Sequence, residues 1–277
     1  MITCQDLGRN GRLGNQMFQF ASTIGIARKT HQEVLFEDIP ETIGYLANGE
    51  MFNQKIELKE VFPNTVPFFK KSLPNLSWET KEEPSFMFSQ DLFNVSGDLK
   101  IRGYFQSEKY FEHVEDEIRK LFEFSAEIKD TVLEDLPEKK QEESWTAVHV
   151  RGGDYKNLPQ FHPPCSVDYY SQAINYLPQD KPHRFFIFSD DISYARTLFD
   201  EDVNVHFVTY TTPYQDLFHM TLCDHFVIAN SSFSWWGAWL SKNKEKVVVA
   251  PKNWFGKGFS KDTHNTKDLY CKNWKQC

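Results

Sequence analysis

The second half of the chain alternates short runs rich in β-branched and aromatic residues with segments whose apolar residues recur at helical spacing. The runs typical of strands are residues 146–151, 184–189, 203–209, 225–229 and 246–250. The helical segments between them are residues 169–177, 192–199, 213–223 and 232–242. Because strands and helices alternate throughout, this half predicts a parallel sheet with helices on both faces.

The first half shows a weaker version of the same pattern. Met1–Leu7 predicts a strand and Asn15–Lys29 predicts a helix. The apolar stripe of this helix would consist of Met17, Phe18, Ala21, Ile24 and Ala27. The elements expected further along are a strand at 34–38, an irregular Phe- and Pro-rich region at 40–100, a strand around 99–105 and a helix at 107–121.

The densest mixture of charged residues lies at 125–144, as is typical of a surface segment between domains. We therefore expect two lobes, residues 1–140 and residues 141–277. The alternative is that 125–144 is a surface helix within one domain.

The charge and cysteine content exclude several classes of protein. The 277 residues include 31 Lys and Arg against 39 Asp and Glu, a formal net charge of −8. This balance disfavours a nucleic-acid-binding protein, so a few local cations must neutralise any bound polyphosphate. The five cysteines are widely spread and form no C-x-x-C pair, which predicts reduced thiols rather than a zinc site or a disulfide framework.

The N-terminus lacks the pattern of a signal peptide, and no membrane span is expected. We therefore expect a cytoplasmic protein. A peripheral association with the inner membrane face is compatible with this location.

Polar side chains follow four of the predicted strands. They are His149, Arg151 and Asp154 after the first strand, Asp190 and Asp191 after the second, residues 209–212 after the third, and Ser231 and Ser232 after the fourth. Ligands of doubly wound sheets bind at the carboxyl ends of the strands. The sequence therefore predicts a binding site at this edge.

Period-2 alternation places His149 and Arg151 on one side of their strand. A guanidinium beside an imidazole at a strand end suits a phosphate ester, and the Gly-Gly pair after Arg151 would let a ligand approach the backbone. The alternatives are a salt bridge from Arg151 to Asp154 and a hydrogen-bonded core role for His149.

Ser231 and Ser232 stand where a helix is expected to begin, so hydroxyls and free backbone N–H groups converge there. This pattern favours an anion site, and the alternative is an ordinary serine N-cap. We expect Trp235, Trp236 and Trp239, which follow in the same helix, to be core residues.

Near the N-terminus, Gly8, Gly11 and Gly14 form a G-x-x-G-x-x-G loop that contains Arg12 and ends in Asn15. This spacing is not the G-x-G-x-x-G dinucleotide fingerprint, which disfavours a nicotinamide or flavin enzyme. The loop supplies a second arginine between a strand and a helix, although a plain tight turn is an equal alternative.

Compact acidic clusters that suit Mg²⁺ or Mn²⁺ occur at Asp190–Asp191 and at residues 200–202. The second cluster would lie at the wrong end of the sheet. Arg12, Arg151 and a helix N-terminus can neutralise phosphate, so we expect no metal.

Four segments of the chain resemble the signature segments of the α1,2-fucosyltransferases, glycosyltransferase family 11. They are GRLGNQMFQFA, VHVRGGDY, FSDD and DLFHMTLCDHFVIANSSFSWWGAWL. The resemblance implies a GT-B-like pair of Rossmann-type lobes with parallel sheets and the donor site in the C-terminal lobe. It also implies GDP-β-L-fucose as donor, an oligosaccharide or glycolipid acceptor such as a β-galactoside, inversion at the anomeric carbon and no metal.

The resemblance further implies roles for single residues. Arg151 would hold the β-phosphate, and His149 would contact the nucleoside. Asp216 matches by spacing an aspartate that reads guanine, and Asp190 and Asp191 are further candidates for nucleotide contacts.

By the same resemblance, Ser231 and Ser232 would contact phosphate, while Arg12 and Asn15 would face the diphosphate and sugar of the donor. The α1,6 branch of the superfamily has a catalytic glutamate after its HxR segment, but residues 156–160 here contain no carboxylate.

The candidates for the base that accepts the acceptor proton are Asp154 first and His162 next, because both follow the Arg151 strand. Two other functions compete with an α1,2-fucosyltransferase. A protein O-fucosyltransferase would need a secretory signal, which is missing. A non-catalytic nucleotide-sugar or glycan-binding protein would have no need of both Arg12 and Arg151.

Overall fold

The computed structural model describes residues 1–45, 51–200 and 202–277 and divides into two compact units. The N-terminal unit comprises Met1–Ser125 and Asp262–Leu269, and the C-terminal unit comprises Ala126–Lys261 and Tyr270–Cys277. The helix Ala126–Asp135 belongs to the C-terminal unit because it packs on the helix Pro213–Thr221. The sequence had placed this helix in the N-terminal lobe, which was expected to end at residue 140.

The N-terminal unit is built on short parallel strands. Its strands are β1 (Ile2–Cys4), β2 (Phe36–Glu37), β3 (Thr42–Tyr45), β4 (Met51–Gln54), β5 (Phe69–Lys70), β6 (Glu79–Glu82) and β7 (Leu99–Arg102), and its helices are α1 (Leu13–Thr30), α2 (Leu58–Val61) and α3 (Glu115–Leu121). One sheet has the order β1-β7-β6, β2 pairs with β5 in parallel, and β3 and β4 form an antiparallel pair. A parallel bridge between Ile2 and Val34 joins β1 to the segment that leads into β2.

Helix α1 is buried on nearly all sides, which corrects the expectation of a single apolar stripe. Every residue from Leu13 to Ala27 except Asn15 is buried. Gly25 allows a close crossing, since a Cβ atom there would lie 2.0 Å from the carbonyl oxygen of Tyr110. A helix that is enclosed in this way is an interior element of its unit.

The expected helix at 107–121 is wrong in its first part. This segment forms two short 3₁₀ turns, Glu108–Tyr110 and Glu112–Val114, before α3 begins at Glu115. The first turn lies against α1 at Gly25, and the Tyr110 hydroxyl accepts the N–H of Ser89 at 2.9 Å. These tertiary contacts favour tight turns over a continuous α-helix.

The C-terminal unit has the predicted alternation of strands and helices. Its strands are β8 (Ser144–Val150), β9 (His183–Ser189), β10 (Val205–Phe207), β11 (His225–Val227), β12 (Val248–Ala250) and β13 (Lys275–Gln276), and its helices are α4 (Ala126–Asp135), α5 (Val167–Ile174), α6 (Ile192–Ala195), α7 (Pro213–Thr221) and α8 (Ser232–Leu240). The sheet order is β10-β9-β8-β11-β12-β13, with every neighbouring pair parallel. Every residue of the central strand β8 is buried. The predicted parallel α/β architecture is therefore confirmed.

Alternate residues of β8 face different helices. Val148 and Val150 belong to an apolar cluster with Tyr169 and Tyr170 of α5. On the other face, the ring centroids of His149 and Phe233 of α8 are 5.8 Å apart. The predicted core position of the α8 tryptophans is confirmed, because Trp235, Trp236 and Trp239 are at most 5% exposed.

The five cysteines are free thiols, as predicted, and Cys4, Cys165 and Cys223 are buried. Within the described residues, no helix is both long and apolar enough to cross a membrane. The cytoplasmic location stays a prediction.

Candidate active site

The C-terminal unit gathers polar groups at the carboxyl edge of its sheet. Arg151 directly follows β8 and Asp190 directly follows β9, and these two strands are paired along their whole length. Ser231 follows β11, the neighbour of β8 on its other side, and is the N-cap of α8. Parallel strands thus bring these three predicted site residues to one edge.

Arg151 lies between two carboxylates. Its Nη2 is 2.5 Å from Oδ1 of Asp154 and its Nη1 is 2.7 Å from Oδ2 of Asp190, while its side chain is 15% exposed. The Nε–H is buried and has no hydrogen-bond partner among the described residues. The salt bridge to Asp154, which the sequence offered as an alternative, is therefore present, and it leaves guanidinium donors for a further anion.

The Gly152–Gly153 pair is shaped around Asp190. Both backbone N–H groups donate to Oδ1 of Asp190, at 2.9 Å and 3.3 Å. A Cβ atom on Gly153 would lie 2.5 Å from Oδ2 of the same carboxylate. Glycines are needed here because the backbone must come close enough to hold the Asp190 carboxylate, which pairs with Arg151. This contact explains the Gly-Gly pair without a ligand.

Tyr155 links Arg151 to the start of α8. The guanidinium carbon of Arg151 lies 5.0 Å from the Tyr155 ring centroid, and the Tyr155 hydroxyl donates to the carbonyl of Asn230 at 3.1 Å. Asn230 Nδ2 donates to the carbonyls of Pro163 and Trp254, which fixes the turn before the helix. Ser231 is a buried residue, and its hydroxyl makes no capping bond to the described backbone of α8.

The ring of His149 is neutral at physiological pH. Its side chain is buried, and burial lowers the pKa of His149 to about 4, with nearby Arg151 acting in the same direction and Asp190 opposing it. Within the described part of the chain, Nδ1 is buried without a hydrogen-bond partner. His149 is therefore available to contact a ligand as a neutral donor or acceptor.

Asp216 lies in the first turn of α7, which begins with a hydrogen bond from the N–H of Thr212 to the side chain of Gln215. Its Oδ1 is buried and has no partner in residues 1–45, 51–200 and 202–277. Burial raises the pKa of Asp216 to about 8. A buried carboxyl without a donor is costly unless a ligand supplies that donor.

His219 was not foreseen from the sequence. It lies one helical turn after Asp216, its Nδ1 is 3.2 Å from the Tyr210 hydroxyl, and burial lowers the pKa of His219 to about 3. Its buried Nε2 also lacks a partner among the residues described. The signal that could have found it is the i,i+3 spacing, which places both side chains on one face of α7.

The two candidate bases have quite different surroundings. The Asp154 carboxylate is held by Arg151 at 2.5 Å. The ring of His162 stacks on Tyr155 with centroids 4.7 Å apart and lies 5.3 Å from the Phe259 ring. Asp154 is thus paired with a cation, whereas the ring of His162 lies among aromatic side chains.

Asp191 is engaged in local contacts. Its Oδ1 accepts the N–H of Tyr194 at 2.9 Å as the N-cap of α6, and its other oxygen pairs with Lys156. The ammonium of Lys156 holds the pKa of Asp191 below its usual range. Its predicted contact with a nucleotide stays a prediction.

In the N-terminal unit, Arg12 and Asn15 stand at the start of α1. Arg12 is the exposed N-cap residue, and its guanidinium contacts no described side chain through a hydrogen bond or ion pair. Asn15 Oδ1 accepts from Nε2 of Gln106 at 2.8 Å. Gly11, at φ 88°, permits this turn, because a Cβ atom there would lie 2.2 Å from Nδ2 of Asn15.

No group of three or more His, Cys, Asp or Glu side chains in the described parts of the chain could hold a metal ion. Glu201, in the acidic cluster at 200–202, lies outside the described residues. Metal independence stays a prediction.

The fold is similar to the solved structure of POFUT1 in complex with GDP, with a TM-score of 0.52 over 90% of this chain and 97% of that chain, at 15% sequence identity. This similarity confirms the expected GT-B-like α/β fold with parallel sheets.

Sequence comparison identifies the family. The profile of glycosyl transferase family 11 matches residues 2–277. An α-1,2-colitosyltransferase of Escherichia coli is 30% identical over 266 residues, which cover 88% of this chain and 90% of that enzyme. A galactoside 2-α-L-fucosyltransferase of Caenorhabditis elegans is 28% identical over 256 residues, covering 85% of this chain and 68% of that enzyme. The chain belongs to glycosyltransferase family 11.

Proposed function

We propose that this glycosyltransferase moves L-fucose from GDP-β-L-fucose to the 2-hydroxyl of a β-galactoside glycan, with inversion at the anomeric carbon. The observation that carries the proposal is the Asp216 carboxyl, whose Oδ1 is buried without a partner in the described chain. The family relationship and the name of the Caenorhabditis elegans relative support the sugar and the linkage.

Asp216 suits guanine better than other bases. The pKa of about 8 leaves Asp216 protonated near neutral pH in the unliganded protein, and the two donors of guanine, N1–H and the exocyclic amine, would favour its ionised form. The ionised carboxylate accepts both hydrogen bonds, whereas adenine has an acceptor at N1. The neighbouring His219, neutral because burial lowers its pKa to about 3, adds a buried Nε2 on the same helix face. These groups favour a guanine nucleotide in the C-terminal unit.

Departure of GDP develops negative charge on the β-phosphate, and three features of the C-terminal unit can stabilise it. Arg151 has its Nε–H available, Ser231 makes no capping bond to the described backbone, and the positive end of the α8 dipole lies beside Ser231. A phosphate oxygen can replace one carboxylate of the Asp154–Arg151–Asp190 arrangement, since guanidinium binds both groups bidentately. In this proposal, Arg151 holds the leaving group.

The N-terminal unit is then the acceptor side. Arg12 exposes its guanidinium at the start of α1, and Asn15 lies in the first turn of that helix. The family relationship suggests these two residues as the contacts of this unit with the donor. The acceptor oxygen attacks C1 of fucose while the bond from C1 to the phosphate oxygen breaks. Its proton must pass to a base or to water.

Transfer of colitose is the second candidate function. The Escherichia coli relative named α-1,2-colitosyltransferase matches almost the whole chain at 30% identity. Colitose is L-fucose without its 3-hydroxyl, so the two donors differ by one hydroxyl contact. A site that hydrogen-bonds this hydroxyl rejects the deoxy sugar strongly, whereas a merely apolar site does not.

The proposal is tested by release of nucleotide from a panel of donors. The donors are GDP-fucose, GDP-colitose, GDP-mannose and UDP-galactose, each with a β-galactoside and with its 2-deoxy analogue as matched control. We expect GDP release from GDP-fucose that depends on the galactoside and is absent with the 2-deoxy analogue.

Faster release from GDP-colitose would favour the second candidate. GDP release that fails with the galactoside but begins when a folded protein acceptor is added would favour a protein O-fucosyltransferase. Tight GDP binding without release from any donor would favour a non-catalytic nucleotide-sugar-binding protein.

A further inference from the structure

The N-terminal unit has its own polar cluster at the carboxyl edge of its parallel sheet. Asp6 follows β1, Glu83 directly follows β6, and Gly103 directly follows β7. The sequence predicted strands at the positions of β1 and β7, but it left β6 and Glu83 within the irregular region at 40–100. Because the three strands are parallel neighbours, their ends bring these residues together.

The Glu83 carboxylate is held by the loop after β7. Its two oxygens accept the N–H groups of Tyr104 and Phe105, at 2.9 Å and 3.0 Å. Gly103, at φ 144°, allows this approach, since a Cβ atom there would lie 2.5 Å from Cβ of Glu83. The carboxylate is thus fixed by backbone groups while its side chain is only half-buried.

The loop that holds Glu83 is itself strained and anchored. Phe105 is fully buried at φ 53°, a left-handed conformation that bulky residues rarely adopt. Ser22 of α1 donates to the Phe105 carbonyl at 3.0 Å, and Gln19 of α1 donates to the Gly103 carbonyl at 3.0 Å. Backbone strain that is maintained by several tertiary contacts is typical of functional sites.

Two carboxamide oxygens beside this loop are unsatisfied. Oε1 of Gln19 and Oε1 of Gln106 are buried and have no partner among the described residues. The Nε2 groups of both side chains are already used, by Gly103 and by Asn15 respectively. Sugar hydroxyls are the donors that such acceptors lack.

We propose that Glu83 is the catalytic base that accepts the proton of the acceptor hydroxyl, within an acceptor-sugar site that also includes Gln19 and Gln106. This inference rests on the proposed function. The acceptor O–H proton passes to Glu83, the oxygen bonds to C1 of fucose, and GDP leaves with the electron pair of the broken bond. Glu83 then loses its proton to solvent.

Glu83 is better suited to this step than Asp154. Burial raises the pKa of Glu83 to about 7, although the two backbone N–H bonds oppose the shift. A base is most effective when its pKa lies near the working pH. Asp154, by contrast, is paired with Arg151 at 2.5 Å. The titratable or charged groups around Glu83 are Cys4, Asp6, Arg102, Tyr104 and Tyr110.

The test measures kcat/KM for the galactoside at saturating GDP-fucose, from about pH 5.5 to 8.5, for wild type, Glu83→Gln and Glu82→Gln. Glu82 is the matched control, because it is the adjacent residue but its side chain is 72% exposed and pairs only with Arg102 among the described residues. We expect wild type and Glu82→Gln to lose activity below about pH 7. Glu83→Gln should be slower by ~10²-fold or more and should lack this acidic limb.

Each outcome has one meaning for the proposal. A slower Glu83→Gln variant that keeps the acidic limb would give Glu83 only a structural role and would overturn the proposal. If kcat/KM of the wild type did not change with pH, the proposal would also be overturned, whether or not the Glu83→Gln variant folds. Full activity of both variants would refute the role of Glu83 as the base and would leave the proposed fucosyl transfer intact. Failure of the wild type to transfer fucose would overturn both the proposed function and the role of Glu83.

Discussion

Arg151 and Asp190 form an ion pair of 2.7 Å between the ends of β8 and β9, the two strands with the longest pairing in the structure. The carboxylate is itself held by the N–H groups of Gly152 and Gly153. The guanidinium is thereby fixed in place before a phosphate arrives, and preorganisation of this kind is what makes a charged contact effective in catalysis.

Replacement of Arg151 should therefore affect turnover strongly. Arg151→Ala is expected to lower kcat/KM by at least ~10²-fold, because one preorganised charge contact with the leaving group is lost. Arg151→Lys should recover only part of the activity, since an ammonium cannot bind phosphate bidentately. The control is Arg119→Ala, which removes an ion pair on α3. Near-normal turnover of Arg151→Ala would show that Arg151 does not stabilise the leaving group.

The second prediction concerns nucleotide selectivity. Asp216→Ala should weaken GDP binding by roughly 5- to 150-fold, because unpaired buried donors of guanine cost ~1–3 kcal/mol. Binding of UDP should change little. Calorimetry of both nucleotides measures this, with Asp168→Ala, another first-turn aspartate on α5, as the control. Equal GDP affinity in wild type and Asp216→Ala would show that another group reads the base.

The third prediction follows from the pKa of about 8 for Asp216. Because the folded-state pKa lies above the ordinary value, the native state keeps a proton that the unfolded state has released, and stability falls as the pH rises between the two values. Asp216→Asn should therefore gain in free energy of unfolding relative to wild type as the pH rises from about 4 to 8. Denaturant titrations at several pH values measure this difference. A difference that does not change with pH would contradict the burial of an ionisable carboxyl at this position.

The fourth prediction is independence of metal ions. Transfer should survive excess EDTA, because arginines and a helix N-terminus can carry the phosphate charge. Loss of activity that Mn²⁺ restores would contradict this and would direct attention to Asp190 and Asp191.

The sequence predicted the C-terminal unit well because its signals are local. The alternation of strands and helices correctly predicted β8 and β9, and the helix start at Ser232 followed from a short polar turn. The sequence could not show whether Arg151 pairs with Asp154, because an arginine at this position is compatible with both an ion pair and a phosphate contact.

The N-terminal unit was harder to predict because its key contacts are not local. Strand β6 reads Glu-Thr-Lys-Glu, which has no apolar periodicity and is a strand only because it pairs with β7. The setting of Glu83 depends on this pairing and on a left-handed Phe105. No pattern in the sequence indicates either feature.

The most direct test of the central claim is NMR analysis of the product formed from GDP-β-L-fucose and a β-galactoside. The account predicts a single new fucose residue with the α-anomeric coupling and a three-bond correlation from fucose H1 to galactose C2. A β-linked fucose, or a correlation to any other galactose carbon, would contradict inverting transfer to the 2-hydroxyl.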